Sequence, residues 1–386
     1  ISVYDQDEED DYDYWFNFKS NGKKRLNEEN NDGKLEDTVY EKKINGKTYG
    51  FDTRGVMVYQ WAVATETDAA TGSNLNSSST WKYFNSPEDG ARMTKGWFKV
   101  VAPMTKGTDN TFKNYGDATF AKSNADDESE KWYYADGDGQ LASSEIKKIK
   151  GKYYGFRKED GEKGAAMLTG LCFMKVDQAS GEILDVKKED MDADYLDDII
   201  DGDYDGLLEE GYSLYYFGND ADTDGAMKTG NTTISLDGTS YTFKFSTNGG
   251  VEGKGKGLTG IEDEKYIYKA GVRLKADSDD KYIVVKATGD TGASNVTVEK
   301  IKSEELRKKA ASAGTNKDNE TVKYVNAELS DKLDANCYLV NTSGTIVKNK
   351  TAAKDGADWY FYVNDKAVKM YTNNKTLTGT SIANWK

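Results

Sequence analysis

The chain contains no histidine. That absence removes the Ser-His-Asp and Cys-His triads, the His-Glu-x-x-His zinc site and the usual proton shuttle near neutral pH. Chemistry by carboxylates alone, as in glycoside hydrolysis, survives the exclusion. Proline is almost as scarce, with 2 residues against 38 glycines, which rules out a collagen repeat and favours many tight turns. The 2 cysteines, Cys172 and Cys337, form no Cys-x-x-Cys motif, so neither a redox pair nor a zinc ribbon is encoded. A long-range disulfide and two separate buried thiols both fit them. No apolar run is long enough to span a bilayer, and no signal peptide is visible. The chain opens at Ile1 without methionine, which reads as a mature or excised fragment. Basic blocks are missing as well. Acidic residues outnumber basic ones 67 to 52, a formal charge of −15, so the phosphate backbone of a nucleic acid is an unsuitable partner.

What remains is rich in rings. Hydrophobic residues make up only 37% of the chain, yet aromatics reach 12%, which sets it apart from a disordered polypeptide. A chain of 386 residues with this composition suggests two or three folding units made of thin sheets, each layer burying a few large side chains.

One pattern recurs along the sequence. Two or three aromatics stand together, a polar turn follows, and then comes a small residue with Met or Leu. Trp81-Lys-Tyr-Phe84 continues through Asp89-Gly90 to Met93-Thr-Lys-Gly-Trp97. Trp132-Tyr-Tyr134 runs through Asp136-Gly-Asp-Gly139 to Leu141, and Tyr215-Tyr-Phe217 runs to Asp224-Gly-Ala-Met227-Lys-Thr-Gly230. A companion pattern begins with the turn: Ile44-Asn-Gly-Lys-Thr-Tyr-Gly-Phe51, Ile149-Lys-Gly-Lys-Tyr-Tyr-Gly-Phe156 and Leu236-Asp-Gly-Thr-Ser-Tyr-Thr-Phe243. Asn-Gly and Asp-Gly favour the mirror-image turns of tight hairpins, and alternation sets Tyr49 with Phe51, Tyr154 with Phe156 and Tyr241 with Phe243. One hairpin cannot bury such a face, whereas stacked copies can. The fold class that follows is mainly β: irregular hairpin repeats, solenoid-like, with insertions and a mixed α/β carboxy-terminal region.

These segments resemble the cell-wall-binding repeats of Gram-positive surface proteins, the family that includes choline-binding and glucan-binding repeats. Trp81, Tyr83, Phe84, Gly90, Met93, Thr94, Gly96 and Trp97 carry the resemblance best. Trp132, Tyr133, Tyr134, Gly139, Gly151, Tyr153, Tyr154 and Phe156 carry the following unit. The resemblance covers roughly residues 15–275, with a weaker copy at Trp359-Tyr-Phe-Tyr362. It implies hairpin superhelices that bind choline of teichoic acids or α-glucans, in a secreted or cell-surface protein. Insertions at 62–80, 102–130 and 177–211 interrupt the family's regular unit. Only Trp97 keeps the tryptophan that closes the pattern, which favours a sugar platform over a choline box.

The domain map reads as an acidic opening segment over 1–14 and a first repeat block over 15–176. An acidic spacer follows over 177–211 with a short helix at 189–200, then a second repeat block over 212–275. The mixed region, 276–386, has strands at Tyr282–Val285, Asn295–Val298, Cys337–Val340, Trp359–Val363 and Ala367–Met370, a helix from Ser303 through Ala313 stopped by Gly314, and a degraded terminal repeat. The candidate ligand-binding residues are Trp81, Tyr83, Trp97, Trp132, Tyr133, Tyr153 and Tyr215. An exposed ring stacks on a pyranose, but each copy must also spend rings on its core; since strand neighbours alternate, Trp132 and Tyr134 face one side and Tyr133 the other.

Asp201, Asp203 and Asp205, followed by Gly206, reproduce the first half of a calcium loop. Tyr212 stands where the closing Glu belongs, so this is not an EF-hand. Asp220-Ala-Asp-Thr-Asp-Gly225 repeats the motif and falls at a repeat turn. Calcium is the candidate ion, and no cofactor is required. No carboxylate pair marks a glycosidase. The function expected is non-catalytic binding of a polysaccharide, an α-glucan or similar, or of a teichoic-acid- or peptidoglycan-associated polymer. The alternative is a structural or protein-interaction repeat, an adhesin or assembly component.

Overall fold

The computed structural model of the chain describes residues 2–5, 10–26, 39–52, 54–63, 81–86, 92–101, 130–158, 164–249, 253–293, 295–356 and 358–382. Most of the expected insertions 62–80 and 102–130, and the Asp89-Gly90 turn, lie outside the described residues. What is described is mainly antiparallel β, arranged as successive small hairpins in the repeat region.

The hairpins come in two kinds. In the first, a two-residue turn joins the strands: Tyr40–Ile44 to Lys47–Phe51, Glu145–Ile149 to Lys152–Phe156, and Gly230–Leu236 to Thr239–Phe245. The turn residues Asn45-Gly46 (φ 48° and 82°), Lys150-Gly151 (48° and 88°) and Asp237-Gly238 (48° and 81°) are all left-handed, as a mirror-image turn requires. In the second kind the strands are separated by a long stretch of chain: Gln60–Val63 with Trp81–Phe84, Gly96–Val101 with Glu130–Ala135, and Leu171–Val176 with Tyr212–Tyr216. Each interruption of the repeat therefore falls between two paired strands. Loop-closure cost grows only with the logarithm of length, so this is where added residues disturb a sheet least.

The aromatic-to-Met spacing is a hydrogen-bonding device. Phe51 bridges to Met57, Phe84 to Met93, Ala135 to Leu141, Phe156 to Met167 and Phe245 to Gly257. The residue after each bridge partner donates to the carbonyl just before the ring position: Val58 to Gly50, Thr94 to Tyr83, Ala142 to Tyr134, Leu168 to Gly155 and Leu258 to Lys244, with Lys228 to Tyr216 as a sixth case. The Met N–H points the other way, to an earlier segment. Met57 donates to Trp15, Met93 to Thr48, Met167 to Trp132 and Met227 to Tyr153, with Gly257 to Leu214 in the same role. In these five repeats one N–H thus stitches the repeat to an earlier segment, which keeps the stacked backbone satisfied.

The chain divides into two compact units: residues 1–170, 180–186 and 217–227 in the first, and 171–179, 187–216 and 228–386 in the second. The first unit has several small cores. Trp61, Trp81, Tyr133 and Leu141 pack with Ala165 and Ala166; Val58, Ala62, Phe84 and Met93 form another group; Ala142, Ile149, Phe156 and Met167 form a third. Its opening segment is a short hairpin, Ser2–Asp5 against Asp10–Asp13.

In the second unit the helix Ala193–Asp201 begins where the Asp192 carboxylate accepts from the Tyr195 N–H at 2.8 Å, and ends at Gly202 with φ 106°. It buries Leu196 and Ile199 against Phe173, Leu214 and Phe243. The strands from Tyr282 to Thr372 form a continuous eight-stranded sheet, whose largest buried cluster includes Val284, Leu306, Val325, Leu339, Phe361 and Tyr371. The segment read as a degraded terminal repeat is an ordinary strand of it: Trp359–Asn364 pairs with Lys350–Asp355 on one side and Ala367–Thr372 on the other. The helix expected from Ser303 through Ala313 stops at Lys308. Residues Ala311–Thr315 instead extend the sheet beside Thr321–Asn326, and the pairing of that strand overrides the local helical signal. Cys172 and Cys337 are both buried and are not joined by a disulfide. No helix among the described residues is long and apolar enough to cross a membrane.

Candidate functional site

The hairpin of Gly96–Val101 and Glu130–Ala135 sorts its side chains by register. Trp97 lies opposite Tyr134 and Lys99 opposite Trp132, while Phe98 lies opposite Tyr133 between them. Strand alternation sends the first four side chains to one face and Phe98 and Tyr133 to the other. The two faces meet different fates.

The Tyr133 face packs inward, with Tyr133 fully buried and Phe98 half-buried. Trp61 meets Tyr83 and Tyr133 at 5.1 Å each, edge to face, and Phe98 stacks between Tyr83 at 5.3 Å and Tyr133 at 5.6 Å. The Trp61 indole donates to the Val101 carbonyl at 2.8 Å, which satisfies its one polar atom.

The Trp97 face is half open. Trp97 meets Tyr154 at 4.8 Å, Tyr134 at 5.3 Å, Phe156 at 5.7 Å and Trp132 at 6.2 Å, mostly edge to face. Phe156 is buried beneath them, and the other four rings remain partly exposed. Tyr154 and Phe156 come from the adjoining hairpin, two residues apart on one strand face.

At the rim stands Asp222. Its carboxylate accepts from the Trp132 indole N–H at 2.7 Å and from the Lys99 ammonium at 2.7 and 2.9 Å. The loop that presents it is folded by Asp220, whose carboxylate accepts from the backbone N–H groups of Asp222 at 2.9 Å and Thr223 at 3.1 Å. Gly218 opens this loop at φ 74°, and a side chain there would overlap the Asp224 carbonyl. The bonds from Lys99 and Trp132 hold the Asp222 carboxyl below its ordinary pKa; bonds to Thr223 and to backbone N–H groups do the same for Asp220. The Lys99 ammonium is held above its ordinary value, first by its bond to Asp222. Chemically the site is a shelf of π faces with a fixed negative group whose charge is locally balanced. It can stack on a ring and can accept or donate hydrogen bonds at its edge.

Of the seven ring residues singled out from sequence, Trp97 and Trp132 are brought together here. Trp81 and Tyr133 are fully buried and Tyr215 is buried, its hydroxyl accepting from Gln178 at 2.7 Å. Tyr83 is half-buried in the interior ring row. Tyr153 is half-buried, with the Lys148 ammonium 5.6 Å from its ring centre, on the strand face opposite Tyr154. Tyr134, Tyr154, Phe156, Lys99 and Asp222 were missed; the alternation that pairs Trp132 with Tyr134 and Tyr154 with Phe156 is the signal for the rings, and nothing local marks Asp222. Trp15 and Phe18 are also exposed.

The three carboxylates read as half a calcium loop do not converge. Asp201 ends the helix and pairs with Lys300 at 2.6 Å, and Asp205 pairs with the buried Lys269 at 2.7 Å. No group of three metal-ligating side chains occurs among the described residues.

No protein-family model matches the chain, and no curated protein matches it. Among solved structures it is similar to CbpJ from Streptococcus pneumoniae, at 16% identity over 92% of this chain and 100% of that one, with a TM-score of 0.24. It is similar to choline-binding protein F from Streptococcus pneumoniae at 16% identity, over 92% and 98% of the two chains, TM-score 0.24. It is also similar to the modular autolysin LytC from Streptococcus pneumoniae in complex with a synthetic peptidoglycan ligand. That likeness is at 12% identity, over 85% of this chain and 55% of that one, with a TM-score of 0.25.

Proposed function

We propose that the protein is a non-catalytic binder of a sugar polymer at the cell surface or in the secreted fraction, and that the shelf of Trp97, Trp132, Tyr134 and Tyr154 is its contact surface. The observation that carries this reading is the unequal treatment of one hairpin's two faces. Tyr133 is fully buried, with the half-buried Phe98 stacked between it and Tyr83, whereas the four rings on the other face all stay half open, two of them beside a fixed carboxylate and its lysine partner. Burying a ring is favourable, and rings left partly open next to polar groups are suited to stacking on a pyranose.

The ring packing supports a shelf over a choline box. An ammonium box needs several π faces around an open centre, but Trp97 itself occupies the middle and meets four rings. The charge state of the rim supports a non-catalytic role. A general acid for glycoside cleavage needs a raised pKa, and both Asp220 and Asp222 are shifted downward. An α-glucan fits the shelf on these grounds, with a cell-wall polymer as the other member of the class.

The second reading, a structural or protein-interaction repeat, is favoured by Trp15 and Phe18, which are exposed without belonging to the shelf. A pull-down on insoluble starch, glucan and purified cell walls, competed with malto-oligosaccharides and with choline, separates the readings. Retention that malto-oligosaccharides release and Trp132→Ala abolishes supports the proposal. No retention on any polymer, or retention unaffected by Trp132→Ala and Trp97→Ala, sinks it.

A further inference from the structure

The second unit contains a cleft of about 180 Å³ that takes no part in the site above. Leu208, Leu258 and Val296 supply its apolar wall, and Tyr212, Ser213, Lys256 and Thr259 carry its polar side-chain groups. Its volume lies below the roughly 300–1,000 Å³ of pockets that enclose drug-sized ligands. The occupant is therefore small.

Each of these polar side chains can donate a hydrogen bond. Lys256 is half-buried, and burial alone acts on its ammonium, drawing its pKa below the ordinary value with no carboxylate contributing. Other partly buried lysines of this unit have a carboxylate partner, Lys244 with Glu262, Lys269 with Asp205, Lys286 with Asp334 and Lys300 with Asp201. A partly buried ammonium without a counter-charge is costly, and in a chain with 67 acidic residues a partner was readily at hand. Ser213 is only 4% exposed, and its hydroxyl carries a proton that can be donated. The Thr259 hydroxyl oxygen accepts from the Ala270 N–H at 2.9 Å, which leaves its own proton to donate.

One ammonium, hydroxyls able to donate and no lining carboxylate among the described residues call for an anion; aliphatic walls call for a short hydrocarbon behind it. We propose that this cleft binds the carboxylate of a short aliphatic acid, with Lys256 as the ion partner, Ser213 and Thr259 as hydrogen-bond donors, and Leu208, Leu258 and Val296 around the tail. A phosphate would leave those walls unused and ask for more donors than the cleft holds. The carboxylate has two sources, a free short-chain acid or the end of a peptide whose last residue is small and apolar.

NMR titration of the whole chain tests this, with butyrate against butyramide and N-acetylalanine against its amide. The expected result is saturable shifts at Leu258 and Thr259, with the acid bound about tenfold or more tightly than its amide because charge-assisted bonds are lost in the amide. Lys256→Met, which keeps the aliphatic stem, lowers acid affinity by a similar factor, and Ser213→Ala lowers it less. Binding by N-acetylalanine assigns the chain-end source; binding by butyrate alone assigns the free acid. The proposal is overturned by equal affinity for acid and amide, by absence of saturable shifts with either acid, or by unchanged affinity in Lys256→Met. Should that variant fail to fold, the acid–amide comparison on the unaltered chain decides alone. The cleft shares no residue with the ring shelf, so its failure leaves the polymer reading standing.

Discussion

At the scale of single residues, two tryptophans with similar sequence surroundings do opposite jobs. Trp81 is fully buried in the first unit, and its truncation to Ala removes a large core side chain that neighbours cannot replace. A loss of about 3–5 kcal/mol is expected in chemical denaturation. Trp132 is half-exposed, so Trp132→Ala is expected to cost about 1 kcal/mol while abolishing polymer retention. Equal destabilisation by the two changes would place Trp132 in the core and remove it from the shelf. The rim carboxylate makes a second prediction at this scale. The Asp222 pKa is lowered in the folded chain, so its bonds to Lys99 and Trp132 persist above the ordinary carboxylate value of 3.8 and are lost as pH falls through the depressed value. The indole N–H resonance of Trp132 should hold constant on acidification until below that pH and then move. In Asp222→Asn the step disappears. A step at or above the ordinary value would contradict the geometry. The group is solvent-exposed, so the step reports local contact and not global stability.

At the scale of hairpins, glycine acts in two separable ways. Gly151 has φ 88° and open space around it, so Gly151→Ala is expected to cost about 1 kcal/mol through the backbone alone. Gly155 lies where an added methyl would come within 2.7 Å of the Phe217 ring and 3.0 Å of Leu168. Overpacking there is expected to cost roughly 1–3 kcal/mol and to alter the near-ultraviolet circular dichroism, which Gly151→Ala leaves unchanged. The reverse order of effects would mean that the hairpins do not pack as described. This is also the scale at which the sequence was most legible. Asn45-Gly46 and Asp237-Gly238 announce their turns because two left-handed residues are demanded side by side, and alternation in Trp132-Tyr-Tyr134 announces two faces. It did not reveal which face stays open, because that depends on Trp61 and Tyr83 arriving across an insertion. The rim was less legible still: Asp222 reaches Trp132 from 90 residues away and Lys99 from 123, and local propensity carries no information over such distances. The helix over Ser303–Ala313 was overextended for the same reason, since the strand that displaced its second half pairs with a neighbour outside any local window.

At the scale of the whole chain, the deciding quantity is charge. With −15 formal charges, the protein repels any anionic polymer over about a Debye length, roughly 10 Å at 0.1 M salt. On the shelf itself Lys99 pairs with Asp222, and a neutral sugar carries no charge for the surrounding field to act on. The two members of the proposed polymer class therefore differ in how salt acts on them. Retention on a neutral α-glucan should be flat across a range of ionic strength, because stacking and hydroxyl hydrogen bonds carry no long-range charge term. Retention on a wall polymer rich in phosphate or carboxylate should strengthen as salt screens the repulsion. The opposite slope, binding weakened by salt, would require a concentrated cationic surface to release counter-ions. The lysines of this chain are widely paired with its own carboxylates, Lys99 with Asp222 and Lys82 with Glu41 in the first unit among them. A falling curve would thus place the contact away from the shelf, on a surface whose cations are not already engaged by this chain's carboxylates.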